Sequence, residues 1–161
     1  MEARTTLLAV IASAVLLGCS SLPGDTRTGS GRPAPRSADR QECPSGNCPI
    51  RVTVDPAHVT ATNTCGVRTP TIVSLGGLGG GRSRLVVWTI QDPNYGFSTL
   101  PGRPALVIKG SNAFFNVPEV HGAVLQVRVN VSNPGTSHEY GLNLVRRDGT
   151  ACGTYDPWMI E

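Results

Sequence analysis

Lysine is almost missing from this sequence. Of its 14 basic residues, all but Lys109 are arginine, and they are spread along the chain. No basic run is interleaved with aromatics, so nucleic-acid binding is not expected. Aromatic residues are scarce as well, at 5%. After residue 18 no stretch keeps a helical period, which argues against an α/β-hydrolase architecture. There is no Gly-x-Ser-x-Gly elbow, no His-x-His pair and no paired Cys-x-x-Cys knuckle. Nor is there a hydrophobic run of the roughly 20 residues needed to span a bilayer.

What is present begins at the N-terminus. Met1 to Thr6 carries Arg4 and a glutamate, and Leu7 to Leu17 is apolar except for Ser13. That is the charged region and short apolar region of a secretory signal peptide over residues 1–18, with a small residue at the cut. The tetrapeptide Leu16-Leu17-Gly18-Cys19 resembles the lipobox of bacterial lipoproteins. The resemblance covers only the first 20 residues. It implies cleavage before Cys19 and acylation of that cysteine, which anchors the protein to a membrane. Each buried methylene contributes about 0.8 kcal/mol, so several acyl chains hold almost permanently. The residue after the cysteine is Ser20, not aspartate, which by the same resemblance implies the outer membrane.

Residues 19–42 read as a flexible tether. No aliphatic after Leu22 is larger than alanine, so the segment cannot bury enough apolar surface to offset its ordering entropy. Residues 43–161 are about the size of one domain. Net charge is +3 over all 161 residues.

Four cysteines remain beyond Cys19: Cys43, Cys48, Cys65 and Cys152. An even number in an exported domain reads as two disulfides, with three connectivities open. The preferred set is Cys43–Cys48 with Cys65–Cys152. The first closes the turn-forming Pro44-Ser45-Gly46-Asn47. The second ties an early strand to the last. A four-thiolate zinc site lacks its usual spacing here.

From Ile50 onward the pattern is β. Ile50, Val52 and Val54 alternate with polar residues, and Asp55-Pro56 breaks the run. Further strands are expected at 58–62, 70–75, 84–90, 95–100, 105–109 and 140–146, with a strand or an irregular edge at 113–117 and a closing segment at 150–160 broken at Asp156-Pro157. The clearest runs from His121 to Ser132, with Ala123, Leu125, Val127, Val129 and Val131 on one face. The expected fold is an all-β antiparallel sandwich, immunoglobulin-like, with a small β-barrel as runner-up. Trp88 sits between two cysteines as in immunoglobulin domains. It lies 23 residues after Cys65, however, and Cys152 lies 87 after it, which departs from that family.

Little of this points to chemistry. The glycine run at 76–81 lacks the lysine and hydroxyl of a phosphate loop and leads into a strand. His58, His121 and His138 do not combine with Cys152 and Met159 in a blue-copper order. No catalytic residue, metal or cofactor is expected. Arg84 to Ile90 is apolar on both faces, which calls either for internal cover or for a docking surface. The residues of that surface would be Val86, Trp88, Ile90 and Trp158. The sequence thus reads as an envelope lipoprotein whose domain binds another envelope protein. The alternatives are a glycan or peptidoglycan module, and a small secreted hydrolase or an inhibitor of one.

Overall fold

A computed structural model describes residues 39–76, 82–110, 114–131 and 133–161. The leader, the lipobox with Cys19, most of the tether, most of the glycine run and Ser132 lie outside these residues. The strands in chain order begin with β1 (Arg40–Glu42), β2 (Cys48–Val54), β3 (Val67–Arg68), β4 (Ile72–Ser74) and β5 (Arg82–Ile90). Then come β6 (Tyr95–Phe97), β7 (Thr99–Leu100), β8 (Arg103–Pro104), β9 (Leu106–Ile108) and β10 (Glu119–His121). The last are β11 (Val124–Val131), β12 (Ser137–Leu142), β13 (Leu144–Arg146) and β14 (Trp158–Ile160). One sheet runs β1-β4-β14-β12-β9 and the other β10-β11-β5-β2-β3. Two small pairs, β13-β6 and β7-β8, sit beside them. The expected all-β class holds, and the two five-stranded sheets are arranged like a sandwich. No sheet of the described residues closes into a barrel.

The period-2 pattern explains which face is dry. In β11, Leu125, Val127, Val129 and Val131 are buried, while Arg128 and Asn130 are exposed. In β2, Cys48, Ile50 and Val52 are buried between exposed Pro49 and Arg51. From the other sheet Val73, Met159, Tyr140 and Leu142 join the same core. Trp88 of β5 meets Tyr140 of β12 edge-on, with ring centroids 5.6 Å apart, so the sheets touch at their centres. Side chains of this size contribute about 1.5–3 kcal/mol each when fully buried.

The expected antiparallel pairing is only part of the picture. The pairs β1–β4, β4–β14 and β2–β5 are parallel. β4 is flanked by the first and last strands, and both run in its own direction. The expected boundary at residue 43 also shifts. Arg40–Glu42 belongs to the sheet, held by backbone pairing to Ile72–Ser74 and a 2.9 Å bond from Arg40 Nη2 to Ser74 Oγ. The pairing is carried by backbone groups, so the polar sequence gives no sign of it.

Two further expectations change. Residues 58–62 form no strand. Asp55 caps a short 3-10 turn at Pro56–His58 by accepting from Ala57 N at 2.9 Å. Residues 95–100 split at buried Ser98, whose N–H donates to Asn143 O and whose hydroxyl donates to Arg103 O.

Both disulfides form as preferred, Cys43–Cys48 and Cys65–Cys152. Two disulfides place the domain in an oxidising, extracytoplasmic compartment. The small one closes the corner where the chain passes from the first sheet to the second. Buried Arg84 clamps that corner, donating to Gly46 O at 2.8 Å and Pro44 O at 2.7 Å. The large disulfide joins two loops in close contact. A Cβ on Gly153 would stand 1.6 Å from Thr62 O, and one on Gly66 would stand 2.0 Å from Asp55 O.

Gly153→Ala should therefore force the two loops apart. Overpacking usually costs about 1–3 kcal/mol, and a backbone clash with no side chain to yield belongs at or above the top of that range. Urea denaturation checks this; a stability equal to wild type would show that the loops are free to separate.

Candidate functional site

The residues expected to form a partner surface lie inside the molecule. Val86 and Trp88 are 0% exposed, Ile90 5% and Trp158 9%. The first three form the inward row of β5 and belong to the core. An apolar strand leaves its parity ambiguous, and here the even-numbered side chains face inward. The outward row is Leu85, Val87 and Thr89, each half-buried by its neighbours in the sheet.

These three residues mark the centre of the outer face of the sheet. Register places Leu85 beside Arg128, Val87 beside Gln126 and Thr89 beside Val124 on β11. On the other side Val87 pairs with Pro49 and Thr89 with Arg51 of β2. A short apolar strip, Leu85, Val87 and Pro49, thus crosses a polar face. At one end it opens into a groove of about 380 Å³ lined by Leu85, Asn116, Val117, Gln126 and Arg128 among others. Val117 stands on its lip, 85% exposed. The groove wall is held by hydrogen bonds. Asn130 Nδ2 donates to Asn116 Oδ1 at 3.0 Å, and Gln126 Nε2 donates to Glu119 Oε2 at 2.6 Å.

The charges on this face are unequal. Arg68 lies 3.8 Å from Asp55. The Asp55 carboxyl is held below the usual range, first by its bond from the Ala57 amide and then by His58 and Arg68. Arg51 and Arg128 are exposed and form no ion pair among the described residues.

Other polar groups are tied into the structure. His58 Nδ1 sits 2.8 Å from Asp55, and exposed His121 lies 3.9 Å from Glu119. His138 is more unusual. Its Nε2 is 2.8 Å from buried Glu161, and its ring stacks on Phe114 with centroids 4.1 Å apart. Nothing in the sequence marked that pair, because 23 residues separate its members. It ties the β12 strand to the end of β14 and brings no nucleophile with it. Lys109 bridges Glu139 at 2.7 Å and Asp156 at 3.0 Å on the exposed side of the first sheet. Its bond to Glu139 chiefly holds the ammonium above the usual lysine range. Among the described residues no three His, Cys, Asp or Glu side chains gather as a metal site. Every aromatic side chain is buried or half-buried.

No protein-family model matches this chain, and neither does any curated protein.

Tyr140 gives the core a pH limit. It is fully enclosed, and burial pushes its hydroxyl well above the usual tyrosine range, with the nearby Trp88 indole offsetting only part. The unfolded chain would ionise near the ordinary value of 10.0, while the folded one stays neutral. The contribution to stability is therefore full below pH 10.0 and falls as the pH rises through and beyond it. Melting followed by circular dichroism should show a steep loss of stability above about pH 10. Tyr140→Phe should flatten that slope, and an unchanged slope would assign it elsewhere.

Proposed function

We propose that the protein is a lipid-anchored envelope protein whose domain docks another envelope protein through the outer face of the β10-β11-β5-β2-β3 sheet. The observation that carries this reading is the Leu85–Val87 strip opening into the groove beside Arg128. Contiguous apolar side chains at the surface can mark an interaction site, and Leu85, Val87 and Pro49 adjoin one another here. The anchor rests on the lipobox Leu16-Leu17-Gly18-Cys19, and the outer membrane on Ser20. The two disulfides agree with an exported domain. The tether would let the domain reach a partner away from the anchoring membrane. The immunoglobulin-like arrangement rests on Trp88 in a central strand, packed against the opposite sheet. The three parallel pairings count against close kinship. The glycan alternative has less support, since six of the eight aromatic side chains are buried and Tyr95 and Tyr155 are half-buried.

Two experiments test this. Cys19→Ser should move the protein from the membrane fraction to the soluble fraction, and persistence in the membrane would remove the lipid anchor from the reading. The full chain, used as bait in a detergent-solubilised envelope extract, should retain one stoichiometric protein. The double variant Leu85→Ser/Val87→Ser should lose it while keeping the wild-type circular dichroism spectrum. Equal retention by both forms, or retention of cell-wall polymer alone, would overturn the docking face.

A further inference from the structure

We infer that the partner presents an acidic, extended segment, in which two carboxylates flank an apolar side chain, to the face around Leu85 and Val87. This deepens the docking reading above and rests on it.

Charge and distance both point that way. Of the cations on this face, Arg68 is already met by Asp55. Arg51 and Arg128 remain exposed and without ion pairs among the described residues. They flank the apolar strip on opposite sides. Arg128 pairs in register with Leu85, and Arg51 pairs with Thr89. Four residues along a strand cover about 13 Å, and two strand spacings cover about 10 Å. The two guanidinium-bearing positions are thus separated by roughly 16 Å on the diagonal, with Val87 between them. An extended peptide covers that span in about five residues. Side chains of an extended segment alternate faces, so the face matches two carboxylates at an even separation of about four to six positions, with an apolar residue of the same parity between them. Glu119 lines the groove as well; it accepts from Gln126 and keeps its charge, but it forms no ion pair with Arg51 or Arg128 among the described residues.

The recess decides between a protein and a bilayer. Leu85 and Val87 are half-buried at the floor of the face rather than projecting from it. A groove of about 380 Å³ can take one side chain from a segment lying across it. Gripping a bilayer would take several protruding apolar groups, and the lip of the groove offers Val117. Arginine suits the role, since its fork meets carboxylates through two parallel hydrogen bonds.

The test uses the full chain carrying Cys19→Ser, so that no acyl group reports binding. The probe is a fluorescent peptide of about ten residues with two glutamates roughly four positions apart and a leucine midway, so that all three side chains share one face when the peptide is extended. Its twin carries lysines in place of the glutamates. Fluorescence anisotropy should show binding of the acidic peptide only, weakening as salt is raised. Arg51→Glu/Arg128→Glu should weaken that binding by about tenfold or more and favour the lysine twin instead. Both positions are exposed, so an unchanged melting temperature is expected for this variant. Equal binding of the two peptides, or no effect of the charge reversal, overturns the inference. So does tighter binding to phosphatidylglycerol vesicles than to the peptide. Suppose instead that the charge-reversed chain still retains the envelope protein that Leu85→Ser/Val87→Ser loses. The acidic segment then fails and the docking face stands.

Discussion

The Cys65–Cys152 junction is the constraint on which the rest of the structure leans. It joins loops 87 positions apart in sequence, and it does so where two backbones touch. Each cysteine is followed by a glycine, Gly66 and Gly153, at a place where a Cβ would collide with a carbonyl of another segment. Polar groups then lock the contact. Gly153 N donates to Thr64 Oγ1 at 2.8 Å, Arg103 Nη2 to Cys152 O at 2.6 Å, and the Asn63 side chain exchanges two 2.8 Å bonds with Val67. A cross-link of this span removes much of the freedom of the unfolded chain, worth about 3–5 kcal/mol. For a domain of little more than a hundred residues that is a large share of the total stability.

The second corner has a different design. Between β1 and β2 the chain leaves one sheet and enters the other within the five-residue separation of Cys43 and Cys48. A passage that short leaves loop carbonyls pointing into the fold. Arg84 reaches from β5 to bond two of them. A charge is costly to bury unless it is paired or fully hydrogen-bonded, so this arginine holds the corner only while the loop keeps its shape. The disulfide keeps that shape. Loop, disulfide and arginine thus depend on one another, and β5 is fixed at the end where the groove opens.

Much of the fold was legible because period-2 alternation reports directly on burial. The run from Leu125 to Val131 gave both the strand and its dry face. The disulfide pairing was legible from the turn chemistry of Pro44 to Asn47. Strand direction was not, since parallel and antiparallel partners bury the same side chains. β1 was invisible because a polar edge strand is held by backbone pairing and side-chain hydrogen bonds that leave no apolar pattern. The His138–Glu161 pair was invisible because only the folded chain brings those positions together. The outward row of β5 was missed for a subtler reason. Where every residue of a strand is apolar, sequence cannot say which parity faces inward, and the bulk of Trp88 drew the choice to the wrong row. Volume is the signal that decides it: the largest side chain belongs where two sheets must fill a gap of about 10 Å.

That same parity makes the outer row suited to recognition. Val86, Trp88 and Ile90 are gripped by the core, so Leu85, Val87 and Thr89 are held in place from behind. The flanking cations are fixed in the same way, Arg51 by Ile50 and Val52, and Arg128 by Val127 and Val129, each neighbour being buried. A surface positioned by rigid packing need not order its backbone on binding, and the entropy lost in such ordering opposes association strongly. Flexibility is left to the arginine side chains, which can adjust to a carboxylate while the apolar strip stays still. The division of labour follows from a single strand: one row of side chains closes the core and fixes the other at the surface where docking is proposed.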